Sequence, residues 1–96
     1  MITHKMIKNG YERGVITLES SVPNDGIVAR IGEYWFYFGG HEAEEYDDPE
    51  EFIKDIPKNQ IINDIYSVLK GWLHDEHMID EYRYYEAFLK EAGCDK

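Results

Sequence analysis

Gly26-Ile27-Val28-Ala29-Arg30-Ile31-Gly32-Glu33-Tyr34-Trp35-Phe36-Tyr37-Phe38-Gly39-Gly40 decides the fold. Two runs of β-branched and aromatic residues flank a single Gly-Glu step. Glycine at the first central position of a two-residue loop is a hairpin signal, so 27–31 and 34–38 pair antiparallel. Alternation sends Tyr34, Phe36 and Phe38 to one face of the sheet and Trp35 and Tyr37 to the other. Trp and Tyr are usually mostly buried, so Trp35 and Tyr37 are expected under a loop or the N-terminal segment. If exposed, they would form a recognition patch.

Upstream, Val15-Ile16-Thr17-Leu18 reads as a further strand between Gly14 and Ser20-Ser21, and Pro23-Asn24-Asp25-Gly26 as the turn that follows it. The dipeptide Asn9-Gly10 is itself a hairpin signal, and would make Ile2 to Lys8 a fourth strand. Downstream, the period changes from two to 3.6. Asp48-Pro49-Glu50-Glu51 has the order of a helix start, opening a short helix with Phe52, Ile53 and Ile56 that Pro57 ends. Ile61, Ile62, Ile65, Val68, Leu69, Trp72 and Leu73 mark an amphipathic helix, weakened at Gly71. A last helix is expected from about Glu76 to Ala92, capped by Asp75 and closed by Gly93, with Met78, Ile79, Tyr82, Tyr85, Phe88, Leu89 and Ala92 on its apolar side.

Strands first and helices after is the pattern of an α+β fold. The expectation is an antiparallel meander of three strands, or four with Ile2–Lys8, followed by three helices packed on one face. The 96 residues suit one domain, a β meander over 1–40 and an acidic helical half over 41–96. Fourteen Phe, Tyr and Trp residues can fill one modest core without staples. Cys94 is the single cysteine, so no disulfide framework or cysteine-rich zinc site can be built, and a reducing, cytoplasmic setting is expected. No apolar run reaches the ~18 residues of a membrane span, and the first residues lack a signal-peptide core.

Charge separates the two halves. The chain carries −10. Residues 1–40 hold four bases and four acids, leaving six bases and sixteen acids in residues 41–96. That field repels phosphate backbones, so direct nucleic-acid binding is not expected and a basic protein partner is. The densest stretch is Glu42-Ala43-Glu44-Glu45-Tyr46-Asp47-Asp48-Pro49-Glu50-Glu51, with seven carboxylates and no base. One reading is a solvated loop whose last acids favour a helix N-terminus. The other is a row of carboxylates standing in for nucleic-acid phosphates, which lie about 1.7 Å apart along the axis of a duplex. Asp80, Glu81 and Tyr84 on the last helix would extend the contact surface, since exposed Tyr offers contact area and a hydroxyl at low entropy cost.

Other chemistry finds little footing. His74-Asp75-Glu76-His77 places two imidazoles three residues apart with carboxylates between, a possible divalent-metal pair that lacks the third ligand a metal hydrolase needs. There is no G-x-S-x-G, no phosphate-binding Gly-Lys-Ser/Thr loop and no G-x-G-x-x-G. Cys94 has no evident base. No catalytic residue and no cofactor are assigned.

From Gly26 through Gly40, and on through the acidic run and the Tyr-rich helix, the chain resembles the small acidic accessory proteins of phages and mobile elements that inhibit CRISPR nucleases or restriction enzymes. The resemblance implies a non-enzymatic mimic of nucleic acid that occupies the basic channel of a nucleic-acid-handling enzyme. It implies contact through Glu42, Glu44, Glu45, Asp47, Asp48, Glu50 and Glu51 with Asp80, Glu81 and Tyr84. The alternatives are an oligomeric accessory protein, such as a homodimer joined through aromatic surfaces, and a metal-dependent enzyme using His74 and His77.

Overall fold

A computed structural model describes residues 1–21, 26–38 and 53–96. The elements are α1 (His4–Glu12), β1 (Ile16–Ser21), β2 (Gly26–Ile31), β3 (Tyr34–Phe38), α2 (Lys58–Trp72) and α3 (Ile79–Glu91). The fold is α+β, with a three-stranded antiparallel sheet in the order β1-β2-β3. The expected hairpin is present: Ile31 pairs with Tyr34 across Gly32-Glu33, and Gly32 has φ 67°. β1 is longer than its β-branched kernel and runs through Ser21, which pairs with Gly26. The turn residues 22–25 lie outside the described residues, as does the helix start at Asp48 with the apolar Phe52. Residues 53–55 are helical, and Ile53 and Ile56 pack against the core.

The expected fourth strand over Ile2–Lys8 is instead helical. Thr3 caps α1, its hydroxyl accepting from the Met6 N–H at 3.2 Å. Met6, Ile7 and Gly10 then fall on one buried face. Strand alternation would have split Met6 from Ile7, and the cap with a 3.6-residue stripe outweighs the turn preference of Asn9-Gly10. Gly10 is used for closeness rather than for a turn. A Cβ there would lie 3.0 Å from Ile16 and 3.2 Å from Leu89, so its absence lets α1 approach β1 and α3. The described residues up to Phe38 are therefore a helix followed by the meander.

The inner face of the sheet presents Ile16, Ile27, Ala29, Ile31, Phe36 and Phe38 to one cluster completed by the three helices. α1 adds Met6 and Ile7, α2 adds Ile61, Ile62, Ile65 and Leu69, and α3 adds Tyr82, Tyr85 and Leu89. The stripes read on α2 and α3 are thus buried at their centres, with Val68, Trp72, Ile79 and Phe88 half-buried at the margins and Ala92 exposed. Phe36 meets Trp72 and Tyr85 at 5.0 and 5.7 Å between ring centroids, within the range in which aromatic pairs attract beyond simple burial.

α3 starts at Ile79, later than expected. Met78 is its N-cap and offers no side-chain bond. Asp75 caps a preceding turn instead, accepting from the His77 N–H at 2.8 Å, because a short carboxylate readily bonds the backbone two residues on. The other end follows the expectation. Gly93 has φ 77°, its N–H donates to the Lys90 carbonyl, and the Cys94 N–H donates to the Leu89 carbonyl. This is the paired closure of a Schellman motif, with Cys94 buried as its apolar contact.

Candidate acidic surface and the residues around it

Of the ten residues expected to meet a partner, Asp80, Glu81 and Tyr84 are described. Glu42, Glu44, Glu45, Asp47, Asp48, Glu50 and Glu51 lie outside the described residues. Asp80 and Glu81 occupy the first turn of α3, where carboxylates complement the positive end of the helix dipole. Both are exposed, as is Glu76 just before the helix, and none of the three has an ion-pair partner among the described residues.

Tyr84 has a defined structural task. It is half-buried, and its hydroxyl accepts from the Glu33 N–H at 2.8 Å. Its ring meets Tyr34 edge-on at 4.6 Å and lies along Phe88 at 6.1 Å. The side chain therefore ties α3 to the β2–β3 hairpin loop, and only part of it is open to a partner.

Other carboxylates are engaged within the fold. Glu86 pairs with the Met1 ammonium, which holds its carboxyl below the ordinary value. Glu12 pairs with Lys58, and that contact lowers its pKa. Glu19 pairs with Arg30 at 3.4 Å on the outer sheet face.

The outer face overturns one expectation. Trp35 and Tyr37 are not buried: they remain 48% and 47% exposed, in edge-to-face contact at 5.2 Å. Their register neighbours across β2 are Arg30 and Val28, of which Val28 is buried. All three helices contribute to the inner-face cluster. Helix α1, which would have been the N-terminal cover of this face, is spent on the inner side.

His74 and His77 are both exposed. Among the described residues no group of three His, Cys, Asp or Glu side chains is placed to hold a metal ion. Cys94 is fully buried, and burial raises its thiol pKa, the reverse of what activates a nucleophile. Among the described residues no helix is long and apolar enough to cross a membrane.

Sequence reasoning missed a second polar region, the seam between α1 and α2. Lys58 and Glu12 pair at one end, and the His4 ring lies 4.1 Å from that of Tyr66 at the other. The two helices therefore run antiparallel. The signal available in the sequence was the spacing of His4, Lys5 and Lys8, which acquires meaning only once Ile2–Lys8 is read as helical.

No family model matches this chain, and no curated protein or solved structure matches it either.

Proposed function

We propose that this chain is a non-enzymatic protein-binding domain whose acidic half engages a basic partner, a nucleic-acid-handling enzyme whose substrate channel it occupies as a mimic. The observation that carries this reading is the segregation of charge: the whole net −10 belongs to residues 41–96. Asp80 and Glu81, exposed and without ion-pair partners among the described residues, are available for such a contact. An anionic surface of this kind speeds association with a basic channel and makes binding weaken as salt rises. The test is a pull-down from bacterial lysate with tagged wild type beside a variant carrying Glu44→Lys, Glu45→Lys, Asp47→Lys and Asp48→Lys. A basic nucleic-acid enzyme enriched by the wild type alone, and released by salt, is the expected result. Equal capture by both baits would sink the reading.

A second reading is favoured by one observation, the half-exposed pair Trp35 and Tyr37. Large aromatic side chains on an outer sheet face suit pairing with another copy of the chain. In this reading the domain is an oligomeric accessory protein.

A further inference from the structure

We propose that the groove between α1 and α2 binds a small phosphate-bearing molecule. This inference stands apart from the acidic-partner reading, since it concerns the opposite sign of charge and different elements.

The groove encloses about 430 Å³ and is lined by His4, Lys5, Lys8, Asn59, Ile62 and Asn63. Helical spacing accounts for the lining. Lys5 and Lys8 lie one turn apart on α1, and Asn59 and Asn63 lie one turn apart on α2. Ile62 between them is 4% exposed and forms an apolar floor. The Lys58–Glu12 pair and the His4–Tyr66 ring contact fix the two walls in register.

Two properties of this groove suit it to an anion. First, its sign is inverted. In a chain with twenty acids and ten bases, the lining contains, among the described residues, two ammonium groups, an imidazole and no carboxylate, with Glu12 one turn beyond Lys8 at the edge. Secondly, its donors are free: the side chains of Lys5, Lys8, Asn59 and Asn63 make no hydrogen bond or ion pair among the described residues. Each lysine offers three N–H donors and each asparagine amide two, and the four residues line one groove from two helices. A phosphate group has enough acceptor oxygens to engage several of these donors at once.

The ligand is small rather than a polyanion. The volume falls in the range of small-molecule sites. A nucleic-acid strand would extend past the groove into the net field of a chain at −10, which disfavours additional phosphates.

The test is an amide NMR titration of the full ¹⁵N-labelled chain with inorganic pyrophosphate at constant ionic strength, with sulfate and citrate in parallel. Saturable shifts are expected in residues 4–8 and 59–63, half-complete at about 1 mM or below. The double variant Lys5→Gln/Lys8→Gln should bind at least about tenfold more weakly while melting at the wild-type temperature. An equal response to sulfate or citrate would mean an adventitious ion only and would overturn the proposal. So would the absence of saturation up to about 10 mM, or undiminished affinity in the folded double variant.

Discussion

The same substitution should act in opposite directions at two glycines, Gly32 in the hairpin loop and Gly71 in α2. Gly32 has φ 67°, a conformation that costs an L-residue about 1–2 kcal/mol. A Cβ at Gly32 would also fall well inside 3.0 Å of the Tyr84 hydroxyl oxygen and at 3.0 Å from two carbons of the Phe88 ring. Relieving that clash means retracting Tyr84, which loses the bond from the Glu33 N–H, or shifting the loop, and either costs about 1–2 kcal/mol. Gly32→Ala should therefore destabilise by about 3 kcal/mol, a fall of roughly 12–24 °C in melting temperature for a domain this small. Gly71 is helical, and a Cβ there would meet nothing within 4 Å. Gly71→Ala should stabilise by about 0.5–1 kcal/mol. The decisive comparison is Gly32→Ala with Tyr84→Phe. Removing the hydroxyl costs about 1 kcal/mol alone but opens the space that the added methyl group needs, so the double variant should be about 1–2 kcal/mol more stable than the sum of the singles. Urea unfolding followed by far-ultraviolet circular dichroism reads all four variants. Strict additivity, or a Gly32→Ala protein within about 0.5 kcal/mol of wild type, would refute the claim that Tyr84 braces the loop.

Two further outcomes follow from the core and the outer face. Burial pushes the Tyr85 hydroxyl up to about 12 from its ordinary 10.0 and raises Tyr82 in the same direction. The protonated phenol is favoured in the fold, so this stabilisation is complete below pH 10 and disappears as pH rises from 10 towards 12. The loss at Tyr85 alone reaches about 2 kcal/mol by about pH 12, and urea midpoints measured between about pH 8 and 12 should fall through that window, less so in Tyr85→Phe; a flat profile would contradict the burial. If the second functional reading holds, sedimentation should find a dimer that Trp35→Ala dissociates, and a monomer at high concentration would count against it.

How much was legible in the sequence differs by element. The β2–β3 hairpin could be read residue by residue, because a two-residue loop with glycine first leaves one register open to the flanking strands. The buried centres of α2 and α3 were equally plain, since Ile61, Ile65 and Leu69, like Tyr82, Tyr85 and Leu89, repeat at helical spacing. α1 was misread because Asn9-Gly10 is a local signal whose usual meaning was reversed by distant partners. Asn9 donates to the Cys94 carbonyl at 2.7 Å, and Gly10 admits Ile16 and Leu89. No local window of the sequence contains Asn9 together with Cys94, or Gly10 together with Leu89. Exposure of Trp35 and Tyr37 was hidden for the same reason. Alternation assigns the two rings to a face, but which face receives the helices depends on where α1 docks. The charge division between the halves was fully readable, whereas the basic seam depended on recognising α1 as a helix.

The closure that follows α3 is bound to the end of α1 by two bonds that span most of the chain: Asn9 to the Cys94 carbonyl, and Arg13, the C-cap of α1, to the Gly93 carbonyl at 2.9 Å. At the other end, the Ile2 N–H donates to the Tyr82 hydroxyl at 2.7 Å. These contacts join residues 80 to 85 positions apart. During synthesis α1 emerges before α3, so these bonds wait for residues made some 80 positions later. At about 5–20 residues per second, the contacts with α3 are delayed by on the order of 4–16 s after α1 is made. The meander, whose strands pair with their immediate neighbours, meets no such delay. The rate at which residues 79–94 are made therefore sets how long α1 waits for its bonds to that end of the fold.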